Sequence, residues 1–346
     1  MLDRKDSPNV EKLFISTLNG TKNKQTPIWF MRQAGRYLPE YKQVRNSTGN
    51  FLELCYSPQK AAEVTLQPIE RFGFDAAIIF SDILVIPDAL GMDVNFVKNE
   101  GPKLKAIENE SDIDKLNYDE GFLSPVYKAI KITKDQLCGS RALIGFSGAP
   151  WTLATYMIEG GGSKDYLKTK TFSYSHPELF SLLIDKLVDS VSKHLIAQVS
   201  AGVDALQIFD SWAGVLTQGQ FEKWSIEPTG KIVENVRKVH PKIPIIGFPK
   251  GAGVFYKDYS KRTGVNAISF DQNMSALWIR DNVDVTVQGN LDPVMLMADK
   301  KAAVEYTRKL LDIMQDKPFI FNLGHGILPQ TSIENVQAVI DEVKKV

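Results

Sequence analysis

The sequence predicts a (β/α)8 barrel, read as a single domain over residues 1–346. Three observations lead there. Eight short apolar runs recur along the chain. A turn and a helix-like stretch follow each run. No glycine fingerprint for a nucleotide, the usual mark of an open doubly wound sheet, is present: "GAGVFY" from Gly251 has two glycines and lacks the third. The runs are "PIWFM" (27–31), "FDAAIIF" (74–80), "ALIGF" (142–146), "VDALQIF" (203–209), "IPIIGF" (243–248), "VNAISF" (265–270), "VTVQG" (285–289) and "PFIFNL" (318–323). They are continuous rather than alternating and rich in Ile, Val and Phe, as strands covered on both faces are.

Between the runs lie helical patterns. "SPQKAAEVTLQPIERFG" has Ser57 as a cap, Pro58 in the first turn and Gly73 as a stop, with Pro68 expected to kink it. The stretch from His176 to Gly202 puts Leu179, Leu183, Leu187, Val191 and Leu195 on one stripe. Ile232, Val236 and Val239 share a face in the next. Ile333, Val336, Ile340 and Val343 share another, behind Ser332 as a cap. The segment 91–135 has mixed polarity and reads as a connection carrying one or two helices. No Pro-, Gly- or Ser-rich linker divides the chain.

Composition narrows the function. The 41 basic and 41 acidic residues balance, which argues against a nucleic-acid or membrane-surface binder. No apolar run approaches the ~18 residues of a membrane span. The N-terminal stretch "MLDRKDSPNVEKL" has no apolar core of a secretory signal. Cys55 and Cys138 are too few and too far apart for a disulfide scaffold or a metal-ligand spacing, and read as reduced thiols of a cytoplasmic protein.

Against that neutral background, residues 20–50 carry six basic residues (Lys22, Lys24, Arg32, Arg36, Lys42 and Arg45) and one acid, Glu40. An arginine fork holds carboxylate or phosphate, and Gly35 between Arg32 and Arg36 lets backbone approach a ligand. The plainer reading makes both arginines surface partners of Glu40 or Glu53.

In a barrel the loops after the strands build the site. Those positions are Arg32-Gln33, Ser81-Asp82, Ser147-Gly148, Asp210-Ser211, Lys250, Asp271, Asn290 with Asp292, and His325, nearly all polar. Asp82 has apolar neighbours on both sides, which is costly for a carboxylate unless it meets a cation or N–H donors; otherwise it caps a turn. His325, between glycines after a buried strand, reads as functional, with a loop histidine bonding backbone as the alternative. His194 lies mid-helix and reads as structural. His176 and His240 each precede a proline at a helix boundary. Tyr156 fits equally an ordinary helix face.

Two stretches, "PIWFMRQAGRYLPEY" and "GFSGAPWTLATYMIEGGGSK", resemble the signatures of the uroporphyrinogen decarboxylase family. "FSDIL", "QIFDSWAG", "GNLDP" and "NLGHGILP" match the same pattern in order, so the resemblance spans the chain. It departs at Gln272, where tryptophan is usual, and at Ser332, where proline is common. The resemblance implies cofactor-free removal of CO2 from the four acetate arms of uroporphyrinogen III, giving coproporphyrinogen III in haem biosynthesis, by a barrel enzyme that pairs as a homodimer. It also implies roles. Asp82 accepts hydrogen bonds from the pyrrole N–H groups and steadies a developing cation. Arg32 takes part in catalysis beside it. Arg32 and Arg36 bind substrate carboxylates, and Gln33, Ala34 and Gly35 shape that wall. Tyr156, Ser211 and His325 hydrogen-bond acid arms, and Phe51 and Phe209 line the pocket. The proton donor stays open among Arg32, Tyr156, His325 and a water. Rival readings are a methyltransferase on the same barrel with a His/Cys zinc site, a non-catalytic tetrapyrrole carrier, and a sugar-phosphate barrel enzyme.

Overall fold

Apolar residues sort by parity along the strands of the computed structural model, which describes residues 11–97 and 100–345; the charged stretch ahead of Glu11 lies outside them. Trp29, Met31, Ala76, Ile78, Ala142, Ile144, Ala205, Ile246, Phe248, Ala267 and Ile320 form one buried cluster. Their chain neighbours, among them Phe30, Ala77, Leu143, Leu206, Ile245, Ile268 and Phe321, belong to a second, larger cluster shared with the helices. Successive side chains of a strand point to opposite faces. Both faces are buried here, which is why the runs are continuous.

The described strands are β1 (Ala76–Ile78), β2 (Asn95–Val97), β3 (Gly101–Lys103), β4 (Ala142–Gly148), β5 (Ala205–Asp210), β6 (Ile245–Pro249), β7 (Ala267–Ser269), β8 (Thr286–Leu291) and β9 (Phe319–Leu323). Seven form one sheet in the order β1-β4-β5-β6-β7-β8-β9. All its pairings are parallel, with Ile78 beside Ile144, Phe209 beside Phe248 and Asn290 beside Asn322. The predicted first strand, 27–31, forms only a single parallel bridge, Ile28 to Phe321. The reason lies in its hydrogen bonds. Ile28 N–H donates to Asp75 Oδ2 (2.9 Å), Phe30 N–H to Gln33 Oε1 (3.1 Å) and Met31 N–H to Asn322 Oδ1 (3.1 Å). Side chains thus replace the ladder. The segment still lies between β9 and β1: Phe321 N–H donates to Pro27 O (2.9 Å) and Asp75 N–H to Ile28 O (2.9 Å). It closes the ring into the expected barrel.

The helix Leu13–Leu18 plugs the ring from the strands' N-terminal side, adding Phe14 and Leu18 to the inner cluster. Thr286 Oγ1 donates to Thr17 O (2.9 Å) and ties it there. The other end is left for the site.

Most predicted helices form where expected. Pro58–Phe72 ends at Gly73, whose φ of 63° suits glycine, but the helix is continuous through Pro68. Pro177–Ala201 buries Leu183, Leu187, Val191 and Leu195, with Leu179 half-buried. In Ile333–Val343 the Ser332 hydroxyl caps Asn335 N–H. One assignment needs correcting: Val239 is 55% exposed, because it ends Glu227–Val239 where the stripe has turned away from the core. The segment 91–135 holds the predicted helices, Glu110–Asp114 and Ser124–Gln136, and also an antiparallel hairpin, β2 with β3. Strands of three residues are too short to show a period.

Candidate active site

The arginine loop is held under strain. Arg32 has φ of 60°, in the left-handed region that side chains avoid. Such a residue costs about 1–3 kcal/mol and persists only where its surroundings over-determine it. Here they do. Met31 just before it gives its N–H to Asn322 Oδ1 and takes Ile327 N–H on its carbonyl (2.9 Å). Gly326 leaves room for the side chain: a methyl there would fall 2.7 Å from Arg32 Cγ and 2.8 Å from Nε. The strained backbone therefore aims one guanidinium across the strand ends. Neither arginine is a surface ion-pair partner. Glu40 pairs with Arg71 instead (2.6 Å), and among the described residues Arg32, Arg36 and Arg45 meet no carboxylate within 4.0 Å.

Asp82 follows β1 and is half-buried. Its Oδ1 accepts Leu84 N–H (2.9 Å), and Oδ2 has no protein partner among the described residues. Surrounding protein desolvates the carboxylate and pushes its pKa up to about 6; the Leu84 N–H and the positive charge of Arg32 act the other way. Tyr156 lies in the same field. Burial raises its pKa first, Asp82's charge adds to that, and Arg32 opposes. His325 closes the group. Its pKa falls to about 3, through burial and then the charges of Arg32 and Lys250, so its ring is neutral at physiological pH. Its buried Nδ1 has no partner among the described residues. An unpaired anion, a strained cation, a phenol and a neutral imidazole thus share one mouth. Below them the inner cluster ends in aromatics: Phe209 meets Phe146 at 5.6 Å and Phe248 at 6.0 Å, both edge-on.

Known proteins bear on this arrangement. The family model described as "Uroporphyrinogen decarboxylase (URO-D)" matches residues 9–346. The chain belongs to the uroporphyrinogen decarboxylase family. Relatives of that name include those of Rhodospirillum rubrum, 46% identical over 96% of this chain and 97% of the relative, and of Rickettsia africae, 49% identical over 96% of each. Among solved structures, a methyltransferase from Methanosarcina mazei superposes with a TM-score of 0.79, covering 96% of this chain and 97% of its own. At 18% identity that likeness shows the fold alone.

The remaining residues that the uroporphyrinogen decarboxylase signatures single out divide in two. Tyr156 packs at a tilt against Trp212 (4.1 Å), which also meets Tyr166 (5.2 Å), so the helix Pro150–Glu159 and the connection after β5 hold the phenol together. Ser211 begins that connection, half-buried and with its hydroxyl unpartnered among the described residues. Phe51 packs against Phe80 (5.9 Å) and Phe96 (4.7 Å), forming a wall behind Asp82's loop. Ala34 and Gly35 are half-buried in the arginine loop, and a methyl on Gly35 would lie 3.0 Å from Arg32 O; that glycine serves the turn itself.

Gln33 faces inward. Its amide accepts from Phe30 N–H and donates to Ala76 O (3.1 Å), so it braces the loop from behind. Asp210 is likewise committed, taking Thr152 Oγ1 (2.7 Å) and Ser225 Oγ (2.6 Å). Asp271 takes Tyr256 Oη (2.7 Å), Gly251 N–H (2.7 Å) and Asn273 N–H (2.9 Å). His194 bonds Tyr127 (3.1 Å) inside the helical layer, as its position suggested. Gln272, a departure from the family pattern, packs under the His325 loop: a methyl on Gly324 would lie 2.6 Å from its Oε1, which is buried and without a partner among the described residues. Sequence reading missed Asn322, Gly326 and Trp212. The signal for Asn322 was available, as a polar residue at an inward position of an otherwise apolar strand.

Proposed function

We propose that the chain decarboxylates the four acetate arms of uroporphyrinogen III at the barrel mouth, through Asp82 and Arg32. The observation that carries this reading is the half-buried carboxylate of Asp82, with one oxygen unpaired, in the field of Arg32 and Tyr156. The chemistry needs such a group. Protonating a pyrrole carbon beside the acetate-bearing carbon makes the ring an iminium-like cation. The C–COO⁻ bond then breaks, its electron pair neutralises the ring and CO2 leaves an exocyclic methylene. A proton added to the methylene and one lost from the ring give a methyl group, so each acetate consumes one proton. The ring is its own electron sink. The protein supplies a preorganised negative charge under the ring and proton delivery. Asp82 provides the first, and its free oxygen faces pyrrole N–H donors. Arginine is a reluctant acid, because its delocalised guanidinium holds its protons tightly. Arg32 therefore orients an acid arm and its bound proton source rather than donating directly.

Arg36 is exposed and unpaired among the described residues, which suits a carboxylate anchor at the rim. Arg36→Ala is expected to raise KM about tenfold and change kcat less than threefold. Collapse of kcat at unchanged KM would place it in the chemistry instead. The direct test of the function is anaerobic incubation with reduced uroporphyrinogen III, with products separated by carboxyl number. Stepwise seven-, six-, five- and four-carboxylate species are expected; unchanged substrate would leave a carrier.

Pairing as a homodimer has a physical basis. Val254, Leu277 and Val294 are 63%, 49% and 52% exposed in the three successive connections after β6, β7 and β8. Apolar side chains gathered at one rim suit self-association. Leu277→Glu with Val254→Glu should shift the sedimentation coefficient to that of a monomer, and an unshifted dimer would move the interface elsewhere. No helix among the described residues is long and apolar enough to cross a membrane.

A further inference from the structure

Lys250 lies outside the signature stretches, directly after β6. Its backbone is fixed from several sides. Its N–H donates to the carbonyls of Asp210 (3.1 Å) and Phe248 (3.0 Å), and its own carbonyl accepts Gly214 N–H (3.0 Å). The next residue, Gly251, gives its N–H to the buried carboxylate of Asp271 (2.7 Å). The connections after β5 and β7 thus both hold the lysine's root in place.

The side chain is treated differently. It is half-buried, and among the described residues it meets no carboxylate within 4.0 Å and makes no hydrogen bond. Its charge reaches His325, the ring of which lies 6.2 Å from that of Phe248. Arg32 acts on the same histidine. Two cations that no carboxylate among the described residues pairs therefore act on one imidazole. A fixed, partly desolvated ammonium left unpaired is costly unless an anion arrives to meet it.

Its place in the ring adds the chemistry of that anion. Counting from the segment 27–31 through β1, β4 and β5, strand β6 is the fifth of eight staves and stands diametrically across from the arginine loop. A macrocycle with acid arms around its whole perimeter presents carboxylates to both sides of the mouth. The arginine loop reaches only one of them.

We propose that Lys250 is a further substrate-binding residue, anchoring a carboxylate arm of the porphyrinogen on the side of the mouth opposite Arg32 and Arg36. This rests on the reading of the substrate as uroporphyrinogen. Lys250→Met keeps the apolar stem and deletes the charge; Lys250→Arg keeps the charge. With reduced uroporphyrinogen III under anaerobic conditions, the Met variant is expected to raise KM about tenfold with kcat within about threefold, and the Arg variant to recover KM to within about threefold of wild type. An unchanged KM in the Met variant overturns the assignment. So does a lost kcat at unchanged KM, or an Arg variant no better than Met. Should the Met variant misfold by circular dichroism, Lys250→Gln supplies the same readout. Wild-type protein run in parallel separates the two inferences: if it releases no CO2 the substrate reading fails, whereas if it turns over and the Met variant matches its KM, only the lysine assignment fails.

Discussion

Asp82→Asn is expected to lower kcat about a thousandfold while KM stays within about threefold, because the lost interaction matures only as the ring becomes cationic. The amide is isosteric and keeps one of the two oxygens; turned towards the pyrrole N–H donors, at the expense of the Leu84 N–H bond, it still holds the ground state, so binding largely survives. What disappears is a full negative charge in a desolvated site, where it acts at far higher strength than in water. The pH profile gives an independent check. Asp82 must be ionised and its pKa is pushed up to about 6. The kcat/KM of the wild type should therefore fall as pH drops below about 6, and Asp82→Asn should lack that limb. His325, at about 3, contributes no inflection near neutrality.

Stability should move the opposite way. A carboxylate with a folded-state pKa above its ordinary value binds its proton more tightly folded than unfolded. Its ionisation costs stability, and that cost is complete above the folded pKa and relieved as pH falls from about 6 towards 3.8. At pH 7.5 the Asn variant should melt at or above the wild-type temperature, the pattern of a residue kept for function against stability. A variant that turned over at near wild-type rate would remove the cation-steadying role. One that melted lower would make Asp82 a structural residue.

The fold was legible in the sequence because burial on both faces leaves a signal that composition cannot hide. Seven of the eight apolar runs became strands within two residues or so at either end. The eighth lost its ladder to Asp75, Gln33 and Asn322 side chains, and no strand pattern encodes that substitution. The site was legible where polar residues interrupt apolar runs, as at Asp82 and His325. It was not legible where charge balance depends on partners distant in sequence. Asp210 and Asp82 look alike, each an aspartate ending an apolar run, and burial pushes both up to about 6. Only the hydroxyls of Thr152 and Ser225 commit Asp210 to structure. The same limit hid Glu40's pairing with Arg71, which frees the arginine loop.

Gly326→Ala should reduce kcat/KM about a hundredfold with the fold intact, since misplacing a positioning group by about 1 Å costs on that order. Gly326 does not hold a left-handed backbone, so alanine is compatible with its conformation. The nearest obstacle is Arg32: the added methyl would overlap its Cδ and lie 2.7 Å from Cγ and 2.8 Å from Nε. The arginine's backbone cannot retreat, because Asn322 and Ile327 clamp Met31 beside it. The side chain must swing, taking the guanidinium away from Asp82 and Tyr156. A double-mutant cycle isolates this coupling. Once Arg32→Ala has removed the three atoms nearest the added methyl, Gly326→Ala should cost less than about threefold in kcat/KM. An equal loss in both backgrounds would mean that the glycine serves the His325 loop itself, and that the strained arginine owes its aim to something else.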